Sequence, residues 1–416
     1  MPVRILTVVH NHSSLHPGGT ELFAEALHAS YANRSDVDAR LIAALDPALR
    51  PELPGTAIQS MPDCDGVYFF RAPGFDPVSQ SRTSLEPLLY NFQWFMDEFR
   101  PDIVHLHHLN HFGLEAIAFI KSRYKRTKIV LTLHDYYLMC ANDGLMFTKA
   151  GARCASPQPS DCARCFPAVP AAQFRARQLN VQRHLELVDQ LIAPSVFLER
   201  KFVEWGVPES RIQVVRNGWP IVPSGSIGSE RPQNGRFALI GNLRETKGTL
   251  VVLKAFNDAL SRHPETGLSL DVFGAPLYQP QEFVDAVTAE VARAEGRIQL
   301  HGSYRSADAG NLLARCAWVL VPSLWWENAP LVVNEAFDAG RPVLCSDIGG
   351  MAEAVTDGVD GLHVPAGDVV AWSEAIVRAA EDPALWSKLS RGIGLPRTLD
   401  QAANDYIELF GLKRAG

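Results

Sequence analysis

Long hydrophobic runs are absent from this sequence. No stretch approaches the roughly 18 consecutive apolar residues that a membrane-spanning helix requires. The apolar stretch at residues 3–9 is too short for a signal peptide and lacks a cleavage pattern, so it predicts a strand instead. We therefore expect a cytoplasmic protein.

Cysteine is scarce, and positive charge is not in excess. Seven cysteines among 416 residues are too few for a disulfide scaffold. The net charge of −7 excludes a general electrostatic attraction to nucleic acid. The length predicts two or three domains, and a hydrophobic content of 47% is ordinary for a soluble globular protein.

Strand patterns alternate with helical patterns along the chain. The alternation is typical of α/β domains, in which helical crossovers join parallel strands and ligands bind beyond the carboxyl ends of the strands. A segment rich in Pro, Ser, Gly and Asn, residues 219–235, predicts a linker between one domain at 1–218 and another at 236–396. The predicted strands are 3–9, 39–45, 67–71, 102–107, 128–134, 189–193, 237–240, 268–273, 297–301 and 317–321, and the clearest helical patterns are 21–31, 84–99, 110–123 and 171–187.

Two glutamates flank seven residues between the last of these strands and the helical pattern that follows it. Asn328 is a good N-cap residue, and Pro330 would then fall in the first helical turn, where a missing N–H does no harm. The amides of Ala329 and Leu331 would point away from the helix, and such a helix N-terminus favours anions. A ligand with a phosphate at this helix end could meet Glu327 and Glu335, whereas two solvated acids on a surface helix are the structural alternative.

Residues 327–353 resemble the signature of the family-4 retaining glycosyltransferases, which have the GT-B fold. The match includes the two glutamates, the segments 336–344 and 346–353, and the turn 357–361. It covers most of the C-terminal half, with weaker similarity in the N-terminal half. The resemblance implies an α/β protein of two Rossmann-like domains that face each other across a cleft, the first on the acceptor side and the second binding the nucleotide-sugar. It also implies that a last helix, within residues 397–416, crosses back to the N-terminal domain.

The resemblance assigns roles to the residues of the two-glutamate motif. In the family the amides at the helix start hold the donor diphosphate. The corresponding amides here are those of Asn328, Ala329 and Leu331. The second glutamate, Glu335, would bind the nucleotide ribose, and the first, Glu327, would lie beside the donor sugar.

A second family loop, here residues 241–248, supplies an Arg and a Lys to the diphosphate. Lys247 matches the Lys. Asn242 occupies the usual Arg position, and Arg244, two residues later, is the candidate replacement. Two cations suit a diphosphate, so no metal ion is needed for catalysis.

Two features of the N-terminal half take their predicted roles from the same resemblance. His134 follows a strand and would line the donor-sugar pocket, unless it only caps the strand end. The pair Gly18-Gly19 lies where the family's Gly-Gly loop contacts the donor, although a plain turn is the simpler interpretation. His105, His107, His108 and His111 form another cluster, for which an ordinary loop is favoured over metal binding.

Four cysteines follow His134 in a segment rich in Gly, Pro and Ser, at about 137–170. Their spacing is C-x13-C-x7-C-x2-C, over Cys140, Cys154, Cys162 and Cys165. A closing C-x2-C pair and four thiolates suit tetrahedral zinc, so structural zinc is the leading hypothesis. Free or disulfide-forming cysteines and an iron–sulfur cluster are the alternatives.

Five cations lie within residues 121–128, after a helical pattern with an apolar face. Cations are favoured at a helix C-terminus, so a solvated helix end is the first interpretation. The alternative, implied by family members with lipid-linked acceptors, is a peripheral contact with anionic lipid at the inner membrane face.

Together these features predict a retaining glycosyltransferase of glycan, polysaccharide or glycolipid biosynthesis. It would move a sugar from a nucleotide-sugar to a hydroxyl of a glycan, lipid-linked or small-molecule acceptor, with no nucleic acid as partner. The alternatives are a GT-B nucleotide-sugar epimerase and a non-catalytic, sugar-nucleotide-binding subunit of a glycan-assembly complex.

Overall fold

A computed structural model of the chain describes residues 2–16, 18–46, 56–219, 232, 234–305 and 308–412. The chain divides into two compact units, Met1–Pro220 with Arg397–Gly416, and Ile221–Pro396. The predicted linker, 219–235, lies mostly outside the described residues. Its first residue, Trp219, pairs through its backbone with Arg397 and Leu399, at N···O distances of 2.8 and 3.0 Å, within the first unit.

The first unit is built on a sheet of eight strands, as far as the described residues show, in the order β10-β9-β8-β7-β1-β2-β4-β3. All its pairs are parallel except β3 with β4. A separate small hairpin consists of β5 and β6. The strands are β1 (Val3–His10), β2 (Val37–Ala44), β3 (Ile58–Ser60), β4 (Val67–Phe70), β5 (Phe75–Asp76), β6 (Ser81–Arg82), β7 (Ile103–Leu106), β8 (Lys128–Thr132), β9 (Gln190–Ala193) and β10 (Ile212–Val214).

Helices connect these strands. Two short segments are not α-helical: a π-helical turn, Leu88–Phe92, runs directly into α2, and a 3-10 turn, Glu209–Arg211, precedes β10. The helices are α1 (Gly19–Ala32), α2 (Gln93–Phe99), α3 (Glu115–Arg123), α4 (Pro159–Cys165), α5 (Ala171–Leu185) and α6 (Val196–Glu204).

The second unit is built on a parallel sheet in the order β13-β12-β11-β14-β15-β16. Its strands are β11 (Arg236–Ile240), β12 (Ser269–Phe273), β13 (Ile298–Gly302), β14 (Trp318–Val321), β15 (Val343–Ser346) and β16 (Gly361–Val364). Its helices are α7 (Thr249–Arg262), α8 (Gln281–Arg293), α9 (Ala309–Leu313), α10 (Leu331–Asp338), α11 (Gly349–Ala354), α12 (Val369–Glu381) and α13 (Pro383–Gly392). The final helix, α14 (Leu399–Leu409), packs against the first unit.

Both faces of the second sheet are buried along its central strands β11, β14 and β15, which explains why these strands are mostly apolar. Along β11, Phe237 and Leu239 join one apolar cluster, and Ala238 and Ile240 join another on the opposite face. Successive side chains of a strand point to opposite faces, so a strand covered on both sides reads as an unbroken apolar run. The predicted architecture of two Rossmann-like domains with parallel sheets is confirmed.

Some predicted helix boundaries were wrong for local reasons. The helical pattern at 110–123 begins as a helix only at Glu115, because His111 and Gly113 adopt φ values of 62° and 96°. Positive φ cannot continue a right-handed helix. Conversely, α1 begins at Gly19, two residues earlier than expected.

Each sheet has one point where the strand order reverses direction. In the first sheet this point lies between β1 and β7, and in the second between β11 and β14. Ligands of open α/β sheets bind beyond the carboxyl ends of the strands at such a point. The residues that follow these four strands therefore lie where a ligand would be expected to bind.

Candidate active site

The loops after β11 and β14 are in contact in the second unit. The amide of Leu324 donates to the carbonyl of Thr246 at 2.8 Å. Gly248, with φ 70°, approaches the carbonyl of Pro322 so closely that a Cβ would lie 1.9 Å from its oxygen. Only glycine accommodates both that backbone conformation and that approach. This contact brings Lys247 from one loop beside Glu327 from the other.

Glu327 is 5% exposed and holds the centre of this site. Three donors converge on its Oε1 atom: Lys247 Nζ at 2.5 Å, Ser323 Oγ at 2.7 Å and Trp325 Nε1 at 2.8 Å. In the part of the chain that the structure describes, its Oε2 atom has no hydrogen-bond partner. The carboxylate is thus fixed through one oxygen while the other remains available.

The predicted N-cap at Asn328 is wrong. Helix α10 begins at Leu331, and Pro330, with φ −67° and ψ 112°, occupies the N-cap position rather than the first turn. The backbone before it is tied to a different part of the unit, since the carbonyl of Glu327 accepts from the amide of Gly350 at 2.5 Å. Asn328 and Ala329 therefore precede the helix, and of the three predicted amides only that of Leu331 belongs to its first turn.

Glu335 lies within α10 and is 4% exposed. The Tyr304 hydroxyl donates to its Oε2 atom at 3.0 Å. Burial, and then the charge of Glu335, raise the pKa of Tyr304 well above its ordinary value, so the phenol stays protonated and acts as a donor. Tyr304, which follows β13, therefore orients the Glu335 carboxylate.

Arg244 is held by its backbone rather than by its side chain. Its amide donates to Thr249 Oγ1 at 3.2 Å, and its carbonyl accepts from the same hydroxyl at 3.1 Å. Its Nε atom is buried without a hydrogen-bond partner among the described residues. The neighbouring Asn242, at the family's usual Arg position, is exposed.

In the first unit, the loop after β1 leads into α1 with Gly18 at the N-cap and no side chain capping the helix. The amide of Leu22 is bonded to the carbonyl of Gly18, so the amides of Gly19 and Thr20 lie ahead of the helical ladder. A Cβ on Gly18 would lie 2.5 Å from Glu21 Oε2, because that side chain folds back over the glycine. This end of α1 lies at the reversal point of the first sheet.

Histidines surround Glu21 at the same edge of the sheet. Glu21 is 2% exposed, and its Oε1 lies 3.3 Å from His10 Nε2 and 3.6 Å from His16 Nδ1. Burial works against the carboxylate, but the two nearby histidines, His16 and His10, prevail and lower the pKa of Glu21. The acid therefore remains ionised.

His134, two residues beyond β8, bonds to His107, at the end of β7. His107 Nδ1 and His134 Nε2 are 2.9 Å apart. Burial, and then the neighbouring His107, lower the pKa of His134 well below 6.5; burial and His105 do the same for His107. Both rings are neutral at neutral pH, so one donates and the other accepts.

His108 and Asp135 form a second pair at this edge, with His108 Nε2 3.3 Å from Asp135 Oδ2. His105 is instead fully buried under α14, bonded to Thr132 Oγ1 at 2.8 Å and close to the Tyr406 ring. Within the described ranges, the only group of three potential metal ligands close enough to share an ion is the largely exposed His263, Glu265 and Glu381. The histidine cluster is thus part core and part loop.

Ser323, Trp325 and Tyr304 hold the two glutamates, but the sequence did not reveal these roles. A donor two or four residues before a carboxylate is a weak signal, because the loop geometry decides whether it points back. Tyr304 is 31 residues from Glu335 in sequence, so only the sheet brings the two together.

Comparison with known proteins gives matches over both units. A family model of Glycosyltransferase Family 4 matches residues 17–221, and a model of Glycosyl transferases group 1 matches residues 234–382. A D-inositol 3-phosphate glycosyltransferase of Kribbella flavida is 29% identical over 259 residues, which cover 57% of this chain and 56% of that protein. The chain spans about half the length of the curated relatives that it matches.

Solved structures share the fold across nearly the whole chain. Anabaena HepE, crystallised with UDP, superposes with a TM-score of 0.70 at 20% identity, covering 98% of this chain and 100% of that one. Sucrose-phosphate synthase from Thermosynechococcus elongatus superposes with a TM-score of 0.68 at 16% identity, covering 98% of each chain. The Family 4 model thus matches most of the first Rossmann-like unit, the group 1 model matches most of the second, and the chain shares the fold of these solved structures.

Proposed function

We propose that this protein transfers a sugar from a nucleotide-sugar to an acceptor hydroxyl, with retention of anomeric configuration and without a metal ion. The observation that carries the proposal is the Glu327 carboxylate, which Lys247, Ser323 and Trp325 fix through Oε1 while Oε2 stays available. This group lies at the reversal point of the second sheet, beside the N-terminus of α10. Complexes of Anabaena HepE with UDP and with UDP-glucose support a nucleoside diphosphate sugar as donor.

The chemistry requires stabilisation of the negative charge that develops on the departing nucleoside diphosphate. Lys247 has three N–H donors. One of them donates to Glu327, so two are left for phosphate oxygens. The amides in the first turn of α10 and the guanidinium of Arg244 supply further positive potential. These groups perform the task that a divalent cation performs elsewhere, so chelators should leave the activity unchanged.

The two glutamates would bind different parts of the donor. Glu335 would accept hydrogen bonds from the ribose hydroxyls while Tyr304 keeps its carboxylate oriented. Glu327 would accept from a hydroxyl of the donor sugar through Oε2. The candidate groups of the first unit are His134, as a neutral ring, and the amides at the start of α1, to which Gly18 and Gly19 would give access.

A thermal-shift screen against nucleotide-sugars and their nucleoside diphosphates tests the donor. A ligand at about a hundred times its Kd stabilises the folded state by about 2.7 kcal/mol. We expect a clear rise in Tm with the nucleotides of one base. Lys247→Ala and Glu335→Ala should lose this rise, and Lys254→Ala, an exposed lysine on α7, should keep it.

Product analysis tests the reaction. Proton NMR of the first-formed glycoside should show the anomeric configuration of the donor, with equal rates in EDTA and in Mg²⁺. An inverted product would refute retention. Unchanged donor affinity in both Lys247→Ala and Glu335→Ala would refute the site. Release of a free epimerised sugar, or donor binding without transfer to any acceptor, would favour the epimerase or the non-catalytic subunit.

We also propose that the first unit contacts an anionic membrane surface. Large apolar side chains are exposed around the π-helical turn and α2, including Tyr90 at 69% and Trp94 at 65%. The basic segment 121–128 adjoins them, since Arg123 Nη1 donates to Gln93 Oε1 at 2.7 Å. None of the described helices is long and apolar enough to cross a membrane.

Vesicle sedimentation tests this contact. We expect the protein to bind vesicles that contain phosphatidylserine more strongly than vesicles of phosphatidylcholine alone. Trp94→Ser should weaken binding, whereas Tyr278→Ser, at an even more exposed aromatic side chain of the second unit, should not. Equal sedimentation with both vesicle types would refute the proposal.

A further inference from the structure

The four cysteines between residues 140 and 165 come from three different local structures. Cys140 follows the loop that begins at His134, and its thiol is buried. Cys154 ends a tight hairpin, whose strands pair at Phe147 and Arg153, and its amide donates to the carbonyl of Met146 at 2.7 Å. Cys162 and Cys165 both lie on α4. The fold therefore gathers residues that are up to 25 positions apart.

Helix geometry and one hydrogen bond bring the thiols towards each other. Residues three apart on a helix share a face, so Cys162 and Cys165 project in one direction. The amide of Lys149, at the tip of the hairpin, donates to Cys165 Sγ at 3.4 Å. This bond joins the hairpin that ends in Cys154 to the helix that carries the C-x2-C pair.

The four cysteines share one hydrogen-bonded segment, because Asn142 Nδ2, two residues after Cys140, also donates to the hairpin, at the Phe147 carbonyl, over 2.8 Å. None is disulfide-bonded. No three of the sulfur atoms lie within 4.8 Å of one another, so bound metal would have to draw them closer.

A buried positive group, the guanidinium of Arg177, lies beside the cysteine cluster. The guanidinium of Arg177, on α5, is 5% exposed and donates to the carbonyls of Tyr137, Leu138 and Met139, immediately before Cys140. Four thiolates around a divalent cation carry a net charge of −2, which a buried guanidinium and an N–H···S bond both stabilise.

From this convergence we propose that Cys140, Cys154, Cys162 and Cys165 bind one structural zinc ion. Zn–S bonds of about 2.3 Å would close the loop between Cys140 and α4. The segment needs such a closure, because apart from α4 and one bridge its described residues have no regular structure. With four cysteine ligands the ion has no open position, so it would shape the loop beyond His134 without taking part in chemistry.

Metal analysis of the whole purified chain tests the proposal. We expect about one zinc per chain. Cys162→Ser with Cys165→Ser should lose nearly all of it, and Cys64→Ser, an exposed cysteine outside the cluster, should keep it. Cys162→His should retain zinc, because a Cys3His set also binds it; this variant keeps the test informative if the double serine variant fails to fold.

Cobalt provides a second readout that does not depend on activity. The chain loaded with Co²⁺ should show the thiolate charge-transfer and visible bands of a tetrahedral thiolate site, and these bands should disappear in the double serine variant. Zinc content that is equal in the native chain and the double variant would overturn the proposal. So would iron with acid-labile sulfide, or a thiol titration that finds the four cysteines paired as disulfides.

Discussion

Each of the two sheets has a point where the strand order reverses, but different side chains lie at the two points. At the reversal point of the first sheet, closely packed histidines are neutral because burial lowers their pKa. At the corresponding point of the second sheet, a buried carboxylate is paired with an ammonium group. The comparison shows that the strand order determines where a site can form, while the residues after the strands determine whether neutral imidazoles or an ion pair predominate there.

The largest expected effect comes from the charge pair of the second unit. Lys247→Met should lower kcat/KM by on the order of a hundredfold, because a cation aimed at the leaving group is lost. Glu327→Gln should also lower it, and the double variant should lose less than the product of the two effects, since each residue positions the other. Lys254→Met is the control. Fully multiplicative losses would show that the pair is not a unit.

Replacing a glycine by alanine should destabilise the site of the second unit more than that of the first, because the backbone contacts of the second are closer. A Cβ on Gly350 would lie 2.0 Å from the carbonyl oxygen of Asn328, so Gly350→Ala must displace the turn that carries Glu327. We expect a loss of about 2 kcal/mol of unfolding free energy in urea titrations. Gly18→Ala should cost less, because its Cβ meets only the flexible end of Glu21, and Gly394→Ala, with no atom within 4 Å, should be nearly neutral. An equal loss in all three would contradict this reasoning.

Acid should destabilise the first unit before the second. Burial lowers the pKa of His105 to about 3 and of His28 to about 4. Below about pH 6.5 the unfolded chain therefore binds protons that the folded unit does not, and stability falls as the pH falls. In the second unit, burial raises the pKa of Asp338 and Asp360, which acts in the opposite direction.

Calorimetry between pH 7.5 and 5 can separate the two effects. We expect the transition of the first unit to move to lower temperature more steeply than that of the second. The double variant His28→Gln, His105→Gln should flatten its pH dependence. Parallel shifts of both transitions would contradict the assignment to buried histidines.

The smallest expected effect is at Tyr304. Tyr304→Phe removes one hydrogen bond to Glu335, which is worth about 1 kcal/mol. Nucleotide affinity should fall a few-fold, while kcat changes little, because the residue orients a ribose ligand and does not meet the reacting atoms. Isothermal titration with the nucleoside diphosphate measures this. A larger effect on kcat than on affinity would place Tyr304 closer to the chemistry than proposed.

The sequence by itself determined the alternation of strands and helices, because local periodicity and turn residues encode it. It also singled out Lys247, Glu327, Glu335 and His134, because the motifs around them resemble those of the family-4 glycosyltransferases. It misplaced the start of α10, because the preference of Asn328 for an N-cap is weaker than the bond that ties the Glu327 carbonyl to Gly350. A local propensity cannot foresee a partner 23 residues away.

Only the tertiary structure decided which of these residues meet. Lys247 and Glu327 are 80 residues apart and touch because β11 and β14 are neighbours in the sheet. His107 and His134 pair because β7 and β8 are adjacent and end at the same edge. Strand order is a property of the whole sheet, set by how the apolar faces are covered, and no local stretch of sequence contains it.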